Sequence, residues 1–424
     1  MHLTVEKTDS LNGVVTAPAS KSYTIRAVLS ALLAEGTSKI RDPLFSLDTK
    51  AAMDVCGKLG GRVRKTDDGI DVDGVAGKIK NPGSTLDTLN SGTTIRISTA
   101  IASLSRDRIQ LTGDESIRSR PIQPLADALA QLGVKVSTTN GRPPLEVQGP
   151  LRGGKCSIRG DVSSQFISGL LMASPYALKD TAISITTEMK SKPYVDLTLN
   201  MLRLFKIKVK NSRYQNFIVP SGQVYEATEY TVEGDYSSAA FILAAAALTE
   251  SKVTVKNLFK DSLQADKKIV EIIKEMGAKI DLKKDSVTVR GGSQLHGIRV
   301  DLSDSPDLLP ITAVLGAFAD GETVIYNTEH ARLKECDRIK AMYTELKKMK
   351  ADVVEKKDGL VLKGGRLQGA IIDSWKDHRI VMAMAVAGLK AEGDTKIADA
   401  EVAAVTFPNF VELMEELGAG LKSK

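Results

Sequence analysis

The chain has few of the residues that build disulfide frameworks, metal centres or aromatic stacking surfaces. It contains three cysteines, four histidines and 4% aromatic residues in 424 residues. Cys56, Cys156 and Cys336 are odd in number and widely spaced, which argues against a disulfide framework and against a zinc site. No two histidines stand at metal-ligand spacing, so we predict no metal.

Long hydrophobic runs are also missing. The longest, at residues 241–248 and 380–389, are about half the length that crosses a bilayer. The opening MHLTVEKTDS has no apolar segment behind a basic start, so it does not resemble a signal peptide. We therefore expect a cytoplasmic protein without a membrane partner.

The charge is mildly basic, with a net value of +6 and a pI near 8.9. Such a balance suits nucleic acid or small anions. The basic residues are spread along the chain, however, and few aromatics accompany them, unlike the stacking surfaces of single-strand binders. We expect small anionic partners and no nucleic acid.

Six similar segments recur along the chain. They are CGKLGGRV, LAQLGVKV, LRLFKIKV, IKEMGAKI, LKKMKADV and MEELGAGL. Their equivalent positions, spaced 73, 73, 71, 73 and 68 residues apart, are Gly60, Gly133, Lys206, Gly277, Lys350 and Gly418. Each segment ends an amphipathic helix, usually with a C-cap glycine, and most lead into a strand pair. A second, more apolar helix and a strand lie between them, so the unit reads helix, strand, helix, strand, strand.

The repeats predict an α/β (α+β) protein of two similar domains with three such units each. The sixth unit leaves no room for a hairpin before the last residue, and residues 3–15 read as a hairpin that completes it. We therefore predict one discontinuous domain, residues 1–19 with 232–424, and one inserted domain, residues 20–231. A repetitive scaffold that only presents a binding surface is the alternative.

The apolar helices begin with polar clusters. These are SKS, NSGTT, GDVSSQ, GDYSS, SDSPD and KDHR. In PASKSYTIR, Lys21 and Ser22 open a helix and Arg26 lies one turn further in, which suits an anion site as well as an ordinary capped surface helix. The glycines of a nucleotide-binding P-loop are missing. If the units are arranged alike, two groups of three helix starts would face each other across a cleft.

One amphipathic helix, predicted over residues 332–346, also begins with charged side chains. Lys334 and Glu335 stand four and three residues before Arg338, so all three can share a helix face. A surface ladder of salt bridges would have the same spacing. Cys336 lies between acidic neighbours that oppose thiolate formation, so we interpret it as a bystander.

These motifs, in this order, resemble those of the family of 5-enolpyruvylshikimate-3-phosphate (EPSP) synthases, which are enolpyruvyl transferases. The likeness rests on ASKSYTIRA, NSGTTIR, LTGDESIRSRPI, GDVSSQF, SKPYVDLTL, VEGDYSSAAF, RLKECDRI and DHRIVMA. It implies two similar domains of the inside-out barrel type, with the active site in the cleft between them. It also implies transfer of the enolpyruvyl group of phosphoenolpyruvate to the 5-hydroxyl of shikimate 3-phosphate, releasing phosphate, without metal or organic cofactor. We expect a monomer.

The resemblance also assigns the binding residues. Those implied for shikimate 3-phosphate are Lys21, Ser22, Arg26, Ser163, Ser164, Gln165, Ser191, Tyr194, Asp307, His330 and Lys334. Those implied for phosphoenolpyruvate are Lys21, Asn90, Gly92, Arg120, Gln165, Arg338 and Arg379. Gly92 would leave room for close backbone approach.

The implied chemistry needs one group that takes the 5-hydroxyl proton and one that protonates the methylene carbon. Asp307 is our candidate for the first role and Glu335 for the second. Lys334 can shuttle protons or stabilise charge, and Lys21 completes the catalytic set.

Three positions depart from the family pattern. Val405 stands where many members carry a lysine for phosphoenolpyruvate, His330 where an asparagine is common, and Leu89 where glycine is usual. An enolpyruvyl transferase acting on UDP-N-acetylglucosamine is the closest alternative, but the cysteine typical of its loop is missing from LTGDESIRSRP. An RNA-end-processing or RNA-binding protein on a related scaffold is a more distant one.

Overall fold

The computed structural model describes residues 1–423 and divides the chain into two compact units. Residues 19–232 form one, called here the inserted unit, and residues 1–18 with those from Glu233 onward form the other, the terminal unit. The boundaries lie one residue from those that the repeats predict. No helix within residues 1–423 combines the length and apolar character needed to span a membrane.

Helices and strands alternate throughout. Residues 1–423 contain the α-helices α1 (Lys21–Leu33), α2 (Leu47–Lys58), α3 (Gly92–Ala102), α4 (Glu115–Ser119), α5 (Gln123–Gln131), α6 (Ser164–Ala173), α7 (Lys192–Leu204), α8 (Tyr236–Leu248), α9 (Lys268–Glu275), α10 (Leu309–Phe318), α11 (Arg338–Lys348), α12 (His378–Lys390) and α13 (Phe410–Glu416). The strands are β1 (Leu3–Val5), β2 (Asn12–Thr16), β3 (Ala34–Glu35), β4 (Thr37–Arg41), β5 (Arg62–Thr66), β6 (Gly69–Asp73), β7 (Leu86–Asp87), β8 (Arg108–Thr112), β9 (Lys135–Thr139), β10 (Arg142–Gln148), β11 (Gly154–Ile158), β12 (Thr181–Ile185), β13 (Lys210–Ser212), β14 (Asn216–Val219), β15 (Tyr225–Glu226), β16 (Glu229–Thr231), β17 (Lys252–Lys256), β18 (Lys279–Leu282), β19 (Ser286–Arg290), β20 (Arg299–Asp301), β21 (Glu322–Tyr326), β22 (Asp352–Lys356), β23 (Gly359–Lys363), β24 (Ile371–Ile372), β25 (Thr395–Ile397) and β26 (Leu421–Ser423).

Six four-stranded sheets share one strand pattern. Their orders are β16-β4-β6-β5, β7-β8-β10-β9 and β11-β12-β14-β13 in the inserted unit, and β2-β17-β19-β18, β20-β21-β23-β22 and β24-β25-β1-β26 in the terminal unit. The first strand of each is parallel to the second, and the remaining pairs are antiparallel. The predicted unit lacks this parallel edge strand.

The predicted N-terminal hairpin is wrong. Strand β1 pairs with β25 and β26, whereas β2 joins another sheet, parallel to β17. The residues between β1 and β2 do not form a hairpin turn. Their backbone bonds elsewhere, because Glu6 N–H donates to Gly420 O and Thr8 N–H donates to Leu389 O. Residues after α13 do form one strand, β26, and β1 supplies the second strand of that pair.

The six repeat positions adopt one backbone conformation. Their φ angles are +105° at Gly60, +84° at Gly133, +65° at Lys206, +106° at Gly277, +68° at Lys350 and +98° at Gly418. A left-handed residue ends a helix by turning the chain away, and glycine does so without a Cβ clash. The predicted C-cap role of the glycines is therefore confirmed, and Lys206 and Lys350, for which no cap was predicted, adopt the same conformation.

The apolar helices form the interior of each unit. All but one residue of α8 and of α12 are buried, and so are all but one of α10. In the inserted unit, α3 and α6 approach closely at Gly169, where a Cβ would stand 2.8 Å from the carbonyl oxygen of Arg96. This contact brings the polar starts of the two helices together.

Candidate active site

Arg338 in the terminal unit is surrounded by three carboxylates. It is the first residue of α11, and its side chain is 1% exposed. Its Nε donates to Asp377 Oδ2 at 2.7 Å, Nη1 to Asp307 Oδ1 at 2.7 Å, and Nη2 to Glu335 Oε2 at 2.6 Å. Charge-assisted bonds of this kind fix all four groups relative to one another.

Asp307 is the point at which the predicted cations meet. Besides Arg338, Lys334 Nζ lies 3.3 Å from Asp307 Oδ1 and Arg379 Nη2 lies 3.1 Å from Asp307 Oδ2. The structure therefore brings together five residues predicted from the sequence. We call Asp307, Lys334, Glu335, Arg338 and Arg379 the Asp307 cluster.

Lys334 and Glu335 reach this cluster from a loop. The predicted helix over residues 332–346 is wrong at its start, because α11 begins at Arg338, where Asp337 caps it by accepting the N–H of Lys340 at 3.0 Å. The preceding turn is a 3-10 helix, Glu329–Leu333. The predicted neighbours therefore converge without sharing a helix face.

The charges of the cluster differ in how firmly they are held. Burial opposes the charge on Arg338, but Asp377, Glu335 and Asp307 outweigh it and raise its pKa well above the ordinary value. Burial, assisted by the positive charge of Arg338, lowers the pKa of Lys334 despite the attraction of Asp307. Lys334 is therefore the cation of this group that most readily gives up a proton.

Asp377 is a site residue that the sequence reasoning missed. It is fully buried, caps α12 and accepts the backbone N–H of Arg379 at 2.8 Å. Burial opposes its ionisation, yet Arg338 prevails and lowers its pKa. Asp377 is the second residue of KDHR, a predicted helix start. An aspartate at such a position is typical of an N-cap, and this was the signal that could have identified it.

The surroundings of Cys336 oppose formation of a thiolate. Its Sγ lies 3.6 Å from Asp377 Oδ2, and burial followed by that carboxylate raises the pKa of the thiol. The direction agrees with the prediction that thiolate formation is opposed. The main causes are burial and Asp377, whereas the sequence pointed to Glu335 and Asp337.

In the inserted unit, Lys21 begins α1 as predicted. Ser20 caps the helix, and the Lys21 Nζ lies 3.1 Å from Oδ2 of Asp48, a buried residue of α2. A buried carboxylate holds the ammonium group in place at the helix start. Asp48 was not predicted, since it lies 27 positions after Lys21.

Arg26 connects α1 to α7. Its Nε donates to Thr198 Oγ1 at 2.8 Å, Nη1 to Ser22 O at 3.0 Å and Nη2 to Tyr194 O at 3.1 Å. Burial lowers the pKa of this side chain to about 10. Arg26 thus supports the backbone of two predicted substrate residues, and its own contact with substrate stays a prediction.

Gln165 and Ser163 converge on an arginine that was not predicted. The Nη1 of Arg96 donates to Gln165 Oε1 at 2.6 Å and to Ser163 Oγ at 3.3 Å. Gln165 Nε2 in turn donates to Thr93 Oγ1 at 2.8 Å. Arg96 is the last residue of the motif NSGTTIR. This motif contributes to the family resemblance, but the resemblance assigned no role to Arg96.

Asn90, Gly92 and Arg120 also lie together. Arg120 Nη2 donates to Ser116 Oγ at 2.8 Å and lies 3.5 Å from Asn90 Oδ1. A Cβ on Gly92, the first residue of α3, would stand 2.7 Å from Arg120 Nη1. The missing side chain at Gly92 therefore leaves space that the Arg120 guanidinium borders.

The remaining predicted residues occupy helix starts and turns. Ser164 is the buried first residue of α6, and Ser191 precedes α7 in the left-handed conformation, with φ of 55°. His330 is buried in the 3-10 helix Glu329–Leu333. Val405 ends another 3-10 helix, Ala400–Val405, with its apolar side chain buried.

Comparison with known proteins gives one consistent result. The family EPSP synthase (3-phosphoshikimate 1-carboxyvinyltransferase) matches residues 5–414. The chain belongs to the EPSP synthase family. The 3-phosphoshikimate 1-carboxyvinyltransferase of Methanocaldococcus jannaschii is 49% identical over 429 residues, which cover 100% of this chain and 99% of that protein. That of Methanococcus aeolicus is 45% identical over 430 residues and 99% of each chain.

A solved EPSP synthase shares the fold over its entire length. The structure from Acinetobacter baumannii has a TM-score of 0.85 and 28% sequence identity, with 100% of each chain covered. The predicted fold class and the predicted enzyme, a 3-phosphoshikimate 1-carboxyvinyltransferase of the shikimate pathway, are confirmed. The alternative with UDP-N-acetylglucosamine as acceptor is not favoured.

Proposed function

We propose that the Asp307 cluster carries out the chemistry of enolpyruvyl transfer in this chain. The observation that supports it is the meeting of three cations, Lys334, Arg338 and Arg379, on one carboxylate, Asp307. Phosphoenolpyruvate brings a phosphate and a carboxylate, which such cations bind. Asn90, Gly92, Arg120, Gln165 and Lys21 complete its predicted contacts.

Shikimate 3-phosphate is assigned mainly to the inserted unit. The groups proposed to hold it there are Lys21, Ser22, Arg26, Ser163, Ser164, Gln165, Ser191 and Tyr194. Hydroxyls and amides at the starts of α1, α6 and α7 suit a polyhydroxylated ring, and the helix starts favour a phosphate. Asp307, His330 and Lys334 are the proposed contacts from the terminal unit.

The proposed reaction begins when Asp307 takes the proton of the 5-hydroxyl. The oxygen then bonds to C2 of phosphoenolpyruvate while Glu335 delivers a proton to its methylene carbon, C3. The resulting tetrahedral intermediate returns a proton from C3 to the Glu335 carboxylate as the bond from C2 to the phosphate oxygen breaks, which restores the double bond and releases phosphate. Lys334, whose pKa is lowered, can return protons between these carboxylates.

The experiment measures phosphate release by the purified chain with phosphoenolpyruvate and one of two acceptors. We expect release with shikimate 3-phosphate and none with UDP-N-acetylglucosamine. Reactions without any acceptor control for hydrolysis of phosphoenolpyruvate. Release only with the UDP-sugar, or with neither acceptor, would contradict the proposal.

We also propose that the chain works as a cytoplasmic monomer with small anions as its partners. The support for small anions as partners is the spread of basic residues along the sequence with few aromatic residues among them. Light scattering in solution should return the mass of a single chain, 45.5 kDa. A mass of twice that value would contradict the proposed monomer.

A further inference from the structure

Glu345 is a fully buried carboxylate outside the Asp307 cluster. It lies on α11, two helical turns beyond Arg338, and its exposure is 0%. Its Oε1 accepts the indole N–H of Trp375 at 2.8 Å, and its Oε2 accepts the backbone N–H of Asp373 at 3.1 Å and the Lys348 ammonium at 2.7 Å. A buried carboxylate persists only with such partners.

The segment that Glu345 holds has an unusual backbone. Trp375 and Lys376, neither of them glycine, have φ angles of 51° and 52° in succession. Their N–H groups donate to Asp373 Oδ1 at 2.8 Å and to the hydroxyl of buried Ser374 at 3.1 Å. Consecutive left-handed residues are rare, and surrounding contacts must enforce them, which is common near functional sites.

This segment leads directly into the Asp307 cluster. The residue after Lys376 is Asp377, which bonds the Arg338 guanidinium and the N–H of Arg379. Arg338 and Glu345 stand seven residues apart on α11, so they contact the segment from one helix face. Helix α11 therefore contacts residues 373–377 at two points. Arg338, a member of the cluster, bonds Asp377, and Glu345, outside the cluster, bonds residues 373 and 375.

We propose that Glu345 and Trp375 are positioning residues for phosphoenolpyruvate, acting through Asp377 on Arg379. Their hydrogen bond holds the left-handed turn, and the turn fixes where α12 starts and so where Arg379 points. This inference rests on the proposed role of Arg379 in binding phosphoenolpyruvate. A merely structural contact would affect the stability of the terminal unit without changing one substrate's KM selectively.

The test uses two variants that break the bond and one that does not. Trp375→Phe keeps a ring but loses the indole N–H, and Glu345→Met keeps a side chain of similar length but loses both acceptor oxygens. Lys348→Gln is the matched control, because it removes a donor to the same carboxylate from the helix side and leaves the bonds to residues 373 and 375 in place. Melting temperature, kcat and the KM for each substrate are measured for all three.

We expect the first two variants to raise the KM for phosphoenolpyruvate about tenfold, the usual effect of one charged hydrogen bond. The KM for shikimate 3-phosphate should stay within about twofold, and Lys348→Gln should resemble the unmodified chain in both. The KM of the double variant for phosphoenolpyruvate should be little higher than that of either single variant, because both substitutions remove the same hydrogen bond. If Glu345→Met does not fold, Trp375→Phe decides.

Lower melting temperatures with an unchanged KM for phosphoenolpyruvate would overturn the inference, and so would an equal rise in both KM values. Arg379→Ala separates this failure from a failure of the proposed function. If Arg379→Ala raises the KM for phosphoenolpyruvate while Trp375→Phe does not, only the positioning role is wrong. If Arg379→Ala leaves that KM unchanged, the role proposed for Arg379 is wrong.

Discussion

Gly92, which the sequence predicts to contact phosphoenolpyruvate, lies against the guanidinium of Arg120. It begins α3, and the space beside its Cα is bordered by the Arg120 guanidinium. Because the neighbouring atom is the far end of a flexible side chain, an added methyl group would displace Arg120 and leave the fold intact. We therefore expect the substitution to change substrate binding and to leave the stability of the protein almost unchanged.

Gly92→Ala should therefore raise the KM for phosphoenolpyruvate about tenfold, since one charge-assisted contact is lost or misplaced. The KM for shikimate 3-phosphate and the melting temperature should stay close to those of the unmodified chain. Gly57→Ala is the control, because nothing lies within 4 Å of a Cβ at that helical position. An unchanged KM in Gly92→Ala would show that Arg120 does not contact this substrate.

The buried partners of the predicted side chains are the site residues that reasoning from motifs missed. Lys21, Arg338 and Gln165 were predicted from motifs, whereas their partners Asp48, Asp377 and Arg96 were not. Such pairs join positions tens of residues apart, and no local pattern records which of many acidic or basic residues the fold will bring close. Motif positions are local, so they could be predicted.

At the scale of the element, the helix ends could be predicted and the short strands could not. Periodic apolar positions and a glycine after the last turn mark a helix within the sequence itself. The parallel edge strands are two to five residues long and pair with distant segments. Four of them have only two or three residues, too few to show an alternating pattern, so their formation depends on tertiary pairing.

Lys350 offers a test of the helix-end argument. It follows α11 with a φ of +68°, a conformation that costs a residue with a Cβ about 1–2 kcal/mol. Glycine relieves this strain, but it also increases the conformational entropy of the unfolded chain, which offsets part of the gain. Lys350→Gly should therefore stabilise the protein by about 0.5–1 kcal/mol. Chemical or thermal unfolding measures the change.

The control for Lys350 is a lysine inside α11, the helix that Lys350 follows. Lys347 is exposed and helical, so Lys347→Gly should destabilise the protein by about 1 kcal/mol. Opposite signs at the two positions would support the left-handed cap. A loss of stability in both variants would show that contacts of the Lys350 side chain outweigh its backbone strain.

At the scale of the whole molecule, the two ends of the described chain are joined in one sheet. Strand β1 lies between β25 and β26, so residues 3–5 take the place that a second hairpin strand takes in the other sheets. The sequence showed that the sixth unit needed completion from the N-terminal segment. It could not show that β2 would leave for another sheet, because that pairing with β17 depends on residues 236 positions or more further along.

Family membership and the Asp307 cluster together give the central claim, that this chain transfers the enolpyruvyl group with Asp307 as the base. The most direct test is a single-turnover experiment on Asp307→Asn, with both substrates bound and phosphate formation followed in time. The account predicts that the amide, which cannot take the 5-hydroxyl proton, slows phosphate formation about 10²- to 10⁴-fold, while phosphoenolpyruvate still binds. Phosphate formation at the rate of the unmodified chain would contradict it.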